Sequence, residues 1–197
     1  MSRNGPVTKD TSTVALGMAQ IRVGASAANI TTLAPALTST ASIGALANTK
    51  FTSTVELWKL ESGFPLMEDT SIPLREKAAL ECAFKEITPM NLAFARGLDA
   101  TSGYTLAHSG EIPLGSAVAP AFIRMEAFYT YPDGVNEMVI IFPRAQVAPN
   151  VELDMKSEDA VASPLTFEAK GADSNVTGGS SIWDGRALGR ILFRAIP

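Results

Sequence analysis

The chain of 197 residues contains one cysteine and one histidine. A single cysteine, Cys82, excludes an intrachain disulfide, and its place in the alternating run 80–84 predicts a small buried hydrophobic side chain, not a nucleophile. No apolar run approaches the roughly 20 residues of a membrane-spanning helix. The polar first residues, MSRNGPVTKDTSTVALG, contain no apolar signal region. We therefore expect neither secretion by the usual route nor membrane insertion.

Residues that carry enzyme chemistry are equally scarce. The one histidine, His108, lies in the turn-like sequence TLAHSG, with no second histidine or cysteine to share a metal. No Gly-x-Ser-x-Gly elbow, phosphate-binding glycine loop or paired-carboxylate motif is present. No basic stripe with interleaved aromatics indicates nucleic-acid binding. We therefore predict a protein that is not an enzyme and uses no cofactor or metal. A hydrolase based on His108 is the alternative, and it predicts that His108→Ala abolishes turnover.

Alternating runs rich in β-branched residues predict a mainly β fold. A Pro-Asp-Gly turn joins the runs 121–131 and 135–147 into a hairpin. Further strands are expected at 19–23, 51–60, 74–87, 151–155, 163–170 and 189–194. The sequence TPMNLAFARG, at 88–97, has the signals of one short helix: a threonine N-cap, a proline at the first helical position and a glycine C-cap. Together these elements predict a β-sandwich or barrel with one helix at an end.

The pattern predicts a single domain over 1–197 with three irregular segments. The first is an extended N-terminal arm at 1–16, and the last is a C-terminal loop with the final strand at 171–197. Between them lies a long inter-strand loop at 61–73, and loops of this length are usually functional or disordered. Its large apolar residues, which argue against disorder, are Phe64, Leu66, Met67 and Ile72.

Two apolar features need a packing partner. The second strand of the hairpin is apolar on both faces at 138–142 (MVIIF), although one face of an antiparallel hairpin usually meets water. Either a neighbouring copy or the same chain, with its N-terminal arm over its own sheet, covers the second face. The segment 25–48 has no charge and few large side chains. We expect something to pack on it, and it is suited to becoming ordered only on assembly.

Charges are segregated along the chain. Seven acids oppose four bases at 51–90, and seven acids oppose two bases at 150–184. The remaining residues contain Arg186, Arg190 and Arg194 and no acid. Faces of opposite sign can meet across copies of the chain; an unevenly charged solvated surface is the simpler alternative.

The order of several short motifs resembles the major tail protein of long-tailed bacteriophages, the subunit of the tail tube. The motifs, spread over roughly residues 17–194, are AQIRVG, SIGALANT, LESGFPL, IPLRE, the TPxNLA helix, GEIPLG, the YPDG hairpin with IFPRAQ, and PLTFEAK. Their order, more than any one motif, carries the resemblance. The chain shows no added immunoglobulin-like domain of the kind that some relatives carry at the C-terminus.

The resemblance implies homohexameric rings stacked into a hollow tube that conducts double-stranded DNA during genome ejection, in a virion assembled in the host cytoplasm. The partners it implies are other copies of the chain, a tape measure protein, and tail tip and terminator proteins. A DNA conduit should not hold its cargo, and an acidic lumen repels phosphate. The lumen candidates in the hairpin 51–87 are Glu56, Glu81 and Glu86, with outer-surface charges as the alternative.

On the same resemblance, the 61–73 loop is the expected contact between subunits or rings. Its contact candidates are Phe64, Leu66, Met67 and Ile72. Further contact candidates are Arg186, Arg190 and Arg194, paired with acids of the next ring from among Glu152, Asp154, Glu158 and Asp159. A β-sandwich module of a capsid or baseplate, which binds without polymerising, is the alternative function.

Overall fold

The computed structural model describes residues 19–62, 64, 67–98, 111–115, 119–153, 155 and 161–197, and for Met67 and Glu68 the backbone alone. Its helices and strands follow in the order β1 (Gln20–Ala25), α1 (Ser26–Asn29), a 3-10 helix (Ser39–Ala41), β2 (Leu46–Ser62), β3 (Met67–Phe84), α2 (Pro89–Ala95), β4 (Ile123–Thr130), β5 (Asn136–Val147), β6 (Ser163–Ala169), a second 3-10 helix (Ser181–Trp183) and β7 (Arg190–Ala195). Strands dominate, which confirms the predicted mainly β fold.

The seven strands form one antiparallel sheet with the order β1-β4-β5-β6-β3-β2. Strand β7 lies off this path, because it pairs with β5 at 136–141, whereas β6 pairs with β5 at 145–147. One edge of β5 is therefore shared by two strands, and the sheet forks there. The predicted hairpin is confirmed, since β4 and β5 pair from Ile123↔Ala145 to Thr130↔Glu137 around the Pro-Asp-Gly turn.

The inward faces of six strands, β1 to β6, surround the main core, so the sheet curls over it in a sandwich-like arrangement. Among its fully buried large side chains are Leu80, Phe84 and Phe167, and Phe51 and Phe142 meet across it with ring centroids 6.3 Å apart. Cys82 is buried in the same core at 4% exposure, as the alternation predicted. Cys82 therefore serves as a small hydrophobic side chain of the core.

Helix α2 closes one end of the core and begins and ends where its caps predict. The Thr88 hydroxyl accepts a hydrogen bond from the Asn91 N–H at 3.2 Å, and Pro89 occupies the first helical position. Gly97 has a φ of 72°, a left-handed conformation that glycine adopts without steric cost. Phe94 is the large side chain that the helix adds to the core. The four-residue helix α1 was not predicted.

The second apolar face of β5 is covered by the same chain. Val139 and Ile141 pack with Phe128 of β4 against a second cluster whose other buried members are Ile30, Ala172 and Trp183. The Trp183 indole N–H donates to the Ile30 carbonyl oxygen at 2.6 Å. The idea that a neighbouring copy covers 138–142 is therefore wrong. The covering residues lie before and after the hairpin in the sequence: Ile30 precedes it, and Ala172 and Trp183 follow it. The predicted N-terminal arm at 1–16 lies outside the described residues.

A buried ion pair on β4 holds part of this cover in place. Arg124 Nε donates to Glu126 Oε1 at 2.7 Å, and both side chains have no exposed surface. The two residues are two positions apart in a strand, so their side chains lie on the same face, the face of Phe128. Charges this deeply buried are stabilising only where their remaining hydrogen-bonding atoms are also satisfied.

The uncharged strap, residues 29–37, supplies those partners from its backbone. Arg124 donates to the carbonyl oxygens of Asn29, Thr32 and Ala34 at 2.6, 2.8 and 2.7 Å. Glu126 accepts from the N–H groups of Ala36 and Leu37 at 2.8 and 3.1 Å. The strap therefore has partners within its own chain, while ordering of the segment 25–48 on assembly stays a prediction.

Two strand predictions also need correction. The described residues of 151–155 form no strand. The long loop predicted at 61–73 is mostly strand, because β2 continues to Ser62 and β3 begins at Met67. Pro73, which suggested a loop, is tolerated since it pairs with Leu57 beside a register shift and β3 has no strand on its other edge there.

Replacing Arg124 with Met is expected to lower the free energy of unfolding by about 3–5 kcal/mol, because it leaves the Glu126 carboxylate buried without its cation. Urea denaturation followed by tryptophan fluorescence measures the change. Lys170→Met is the matched control, since Lys170 and Glu168 have the same spacing and the same 2.7 Å distance on an exposed face. The control should cost about 1 kcal/mol or less. Equal losses in the two variants would contradict the role assigned to the buried pair.

Burial raises the pKa of the Cys82 thiol to about 12. We expect the folded protein to react very slowly with a thiol reagent near pH 8, and the urea-unfolded protein to react at once, because a free thiol has a pKa of about 8.5. Stability from the neutral thiol is complete below that unfolded value and falls as pH rises above it. Fast labelling of the folded protein would show that the core around Cys82 opens readily.

Candidate functional site

Strands β2 and β3 leave the core and continue as a two-stranded arm, residues 53–77. The side chains that the structure describes between 53 and 77 are all on exposed residues. Cross-strand pairing continues from Ser53↔Ala78 to Ser62↔Met67. At about 3.3 Å per residue, the ten residues from Ser53 to Ser62 extend roughly 30 Å from the last residues that contact the core.

The arm exposes apolar side chains on both of its faces. Val55 and Leu57 lie on the face that continues from Phe51, whereas Trp58 faces the other way and pairs with Ile72. The large hydrophobic residues of the arm that are at least 41% exposed are Val55, Leu57, Trp58, Leu60, Phe64, Ile72 and Leu74. A two-stranded ribbon with no layer beneath it is marginally stable in water. An apolar set of this size is typical of a surface that another molecule covers.

The acids predicted to face a lumen each have a partner within the chain. Glu56 Oε1 accepts from Lys77 Nζ at 2.9 Å, and Arg75 is 3.9 Å from the same carboxylate. The hydrogen bond and charge of Lys77, with a smaller effect from Arg75, hold the pKa of Glu56 below its usual value. Glu81 lies on the same face of the hairpin and is 3.4 Å from Lys50 Nζ. This face of the hairpin therefore carries acids paired with bases, whereas the sequence predicted acidic charge alone.

Glu86, the third lumen candidate, has a local structural role. It follows the end of β3, and its Oε1 accepts from the Ala45 N–H at 2.9 Å. A Cβ built at Gly44 would lie 2.2 Å from the Glu86 carboxyl carbon, so the carboxylate occupies space that only glycine leaves free. Gly44 also has a φ of 85°. The structure thus places Glu56 and Glu81 on one face of the hairpin but six register positions apart, about 20 Å, and it places Glu86 beside the start of β2.

Of the predicted contact residues in 61–73, Phe64 and Ile72 lie on the arm. Phe64 is fully exposed at the tip and Ile72 is about half exposed on β3. Leu66 and the side chain of Met67 lie outside the described part. The sequence prediction missed Val55, Leu57, Trp58, Leu60 and Leu74. The signal was present in VELWKL, where apolar residues occupy both faces of a strand between charges.

The predicted basic tail separates into three different environments. Arg194 on β7 pairs with Glu137 on β5, with an N–O distance of 2.6 Å, so its charge already has a partner within the chain, and a contact with an acid of another subunit stays a prediction. Arg186 is exposed in the loop before β7, and Arg190 is partly buried at the start of β7. Of the predicted partner acids, Glu152 is exposed, and Asp154, Glu158 and Asp159 lie outside the described residues.

Two kinds of functional feature, a metal site and a membrane-spanning helix, have no counterpart in the described residues. No group of three His, Cys, Asp or Glu side chains there is arranged to hold a metal ion, and His108 lies outside them. None of the helices described is both long and apolar enough to cross a membrane. In comparisons with known proteins, no family model matches this sequence and no curated protein matches it significantly. The exposed arm is the feature that carries the functional argument.

We expect Leu74→Ala to change the free energy of unfolding by less than about 0.5 kcal/mol, because its side chain is 69% exposed on the arm. Leu80→Ala, the same change six residues along the same strand, should cost about 2–5 kcal/mol, because Leu80 is fully buried. Urea denaturation of dilute protein measures both. A cost for Leu74→Ala similar to that of Leu80→Ala would show that the arm packs on its own body in solution.

Proposed function

We propose that the chain is a structural virion protein, the subunit that self-assembles into the stacked hexameric rings of a phage tail tube. The arm is the single observation that carries this proposal. It presents seven large exposed hydrophobic residues on a ribbon that no described segment of the same chain covers. A surface of this kind acquires its stability from a partner, and the order of sequence motifs makes another copy of the chain the partner we favour.

The body supports the proposal because its central strand needs no partner for its cover. Both apolar faces of β5 are covered within the chain. A copy can therefore fold first and associate afterwards through its arm. An arm that docks on a different surface of the next copy makes a heterologous contact, which closes into rings or continues as a filament. A tube of stacked rings uses both outcomes.

The charges of the arm are compatible with a DNA conduit in a different way from the one that the sequence predicts. Lys50, Lys77 and Arg75 are three bases held by two acids, Glu81 and Glu56, so the face they share carries one net positive charge in place of three and attracts phosphate less than three free bases would. Binding to DNA needs unpaired Lys and Arg that release counterions. On this proposal the duplex slides because the wall holds it weakly, and the net charge of −4 adds repulsion.

The competing function is a capsid or baseplate module that inserts the same arm into a different protein. It shares the exposed arm, and it differs in forming no polymer. Self-association therefore separates the two functions.

We expect electron microscopy of concentrated protein, alone and with seeds of tail tip, to show stacked rings or hollow tubes. Trp58→Ser combined with Leu74→Ser should leave monomers, because it removes two exposed apolar side chains of the arm. Leu114→Ser with Met155→Ser is the matched control, since both residues are about 80% exposed outside the arm. Wild-type protein that stays monomeric with and without seeds would favour the binding module.

A further inference from the structure

An open groove separates the root of the arm from β7. One side consists of Phe51, Ser53, Glu76 and Ala78, and the other consists of Ile140, Phe142 and the segment Leu188–Ile191. Its volume is about 220 Å³. For comparison, an apolar cavity of about 150 Å³ accepts benzene. The groove is therefore large enough for an aromatic ring and apolar enough to favour one.

We propose that this groove receives the arm tip of a second copy of the chain, with Phe64 as the inserted side chain. The inference rests on the proposed function and adds to it the surface that the arm recognises. Phe64 is the fully exposed aromatic residue at the tip. A large aromatic side chain that fills a pocket at the centre of a contact commonly dominates its binding energy.

The occupant of the groove has to come from another copy. Ser53 and Glu76, at the root of the arm, line the groove itself. Phe64 lies eleven residues beyond Ser53, and a paired strand of that length spans about 35 Å. Bending the tip back to its own root would break the cross-strand pairs that form the arm. The same geometry makes the contact heterologous, so it repeats from copy to copy.

Charge complementarity favours the tip as the occupant. The sequence 61–69 at the tip contains three acids and no base. On the β7 side of the groove, Arg190 has no carboxylate of a described residue within ion-pair distance, whereas Arg194 on the same strand is paired. Glu76 is the other charged residue that lines the groove, and it lies on the arm side. Attraction to Arg190 and repulsion from Glu76 therefore favour an acidic tip bound on the β7 side of the groove.

Disulfide trapping between two variants tests the contact directly. Protein with Ser62→Cys, which keeps Phe64 in place, is mixed with protein with Ile191→Cys under oxidising conditions, at a concentration where wild-type assemblies are imaged. Ile191 lines the groove and is 45% exposed. The buried thiol of Cys82, whose pKa is raised to about 12, contributes little background. We expect a crosslinked dimer that forms only in the mixture.

The matched control replaces Ile191→Cys with Leu114→Cys, which is more exposed and lies outside the groove. The groove pair should give roughly tenfold more dimer than the control pair, as expected when one site binds and the other meets the tip only by collision. A yield no higher than the control overturns the groove assignment, whatever particles are seen. Images of the same wild-type sample decide separately on the proposed function: tubes without the selective crosslink would retain the tube and discard this contact.

Neutralising the groove cation gives a second, independent readout. Arg190→Gln should raise the protein concentration needed for assembly by roughly tenfold at low salt, and the difference from wild type should shrink as salt screens the charge. Arg186→Gln is the control, because Arg186 is exposed outside the groove. Equal effects of the two substitutions, or a difference that does not depend on salt, would overturn the role of Arg190 in recognising the tip.

Discussion

The buried ion pair of Arg124 and Glu126 is the interaction on which the rest of the body depends. Two charges without solvent access are costly, and here that cost is offset by five hydrogen bonds to the backbone of the strap. Those bonds fix a segment that has too few large side chains to fix itself. Once the strap is in place, Ile30 and Leu33 lie over the second face of β5 beside Trp183. A chain without the pair would leave that face exposed to water.

The body and the arm both contain strands that are apolar on two faces, but these faces are covered in the body and uncovered in the arm. In β5, apolar residues on both faces are covered by segments of the same chain. In the arm, apolar residues also lie on both faces, yet no described segment covers them. Burial of apolar surface is the main favourable term in folding and association. The covered faces of β5 therefore stabilise the single chain, whereas the uncovered faces of the arm favour contact with another molecule. The fold thus separates the part that folds from the part that associates.

Charge counts along the sequence are a poor guide to the surface, because the partners are set by strand register. Glu56 and Glu81 belong to an acidic stretch, but antiparallel pairing of β2 with β3 brings a base to each. Arg194 belongs to a basic tail, but pairing of β7 with β5 brings it to Glu137. Of that tail, Arg186 and Arg190 form no ion pair with a carboxylate of the described residues.

The sequence by itself determined the features that neighbouring residues encode. The caps of α2, the Pro-Asp-Gly hairpin and the burial of Cys82 each depend on a few adjacent residues, so their prediction was confirmed. The predictions of a strand at 151–155 and of a loop at 61–73 were wrong. Alternation of apolar residues and the presence of proline are weak signals for a strand or a loop, because pairing with another strand decides whether a segment is a strand. Tertiary structure alone decided what covers each face. Those contacts join residues far apart in sequence, such as Ile30 with Trp183. A local sequence pattern does not indicate which distant segment will pack on a given face.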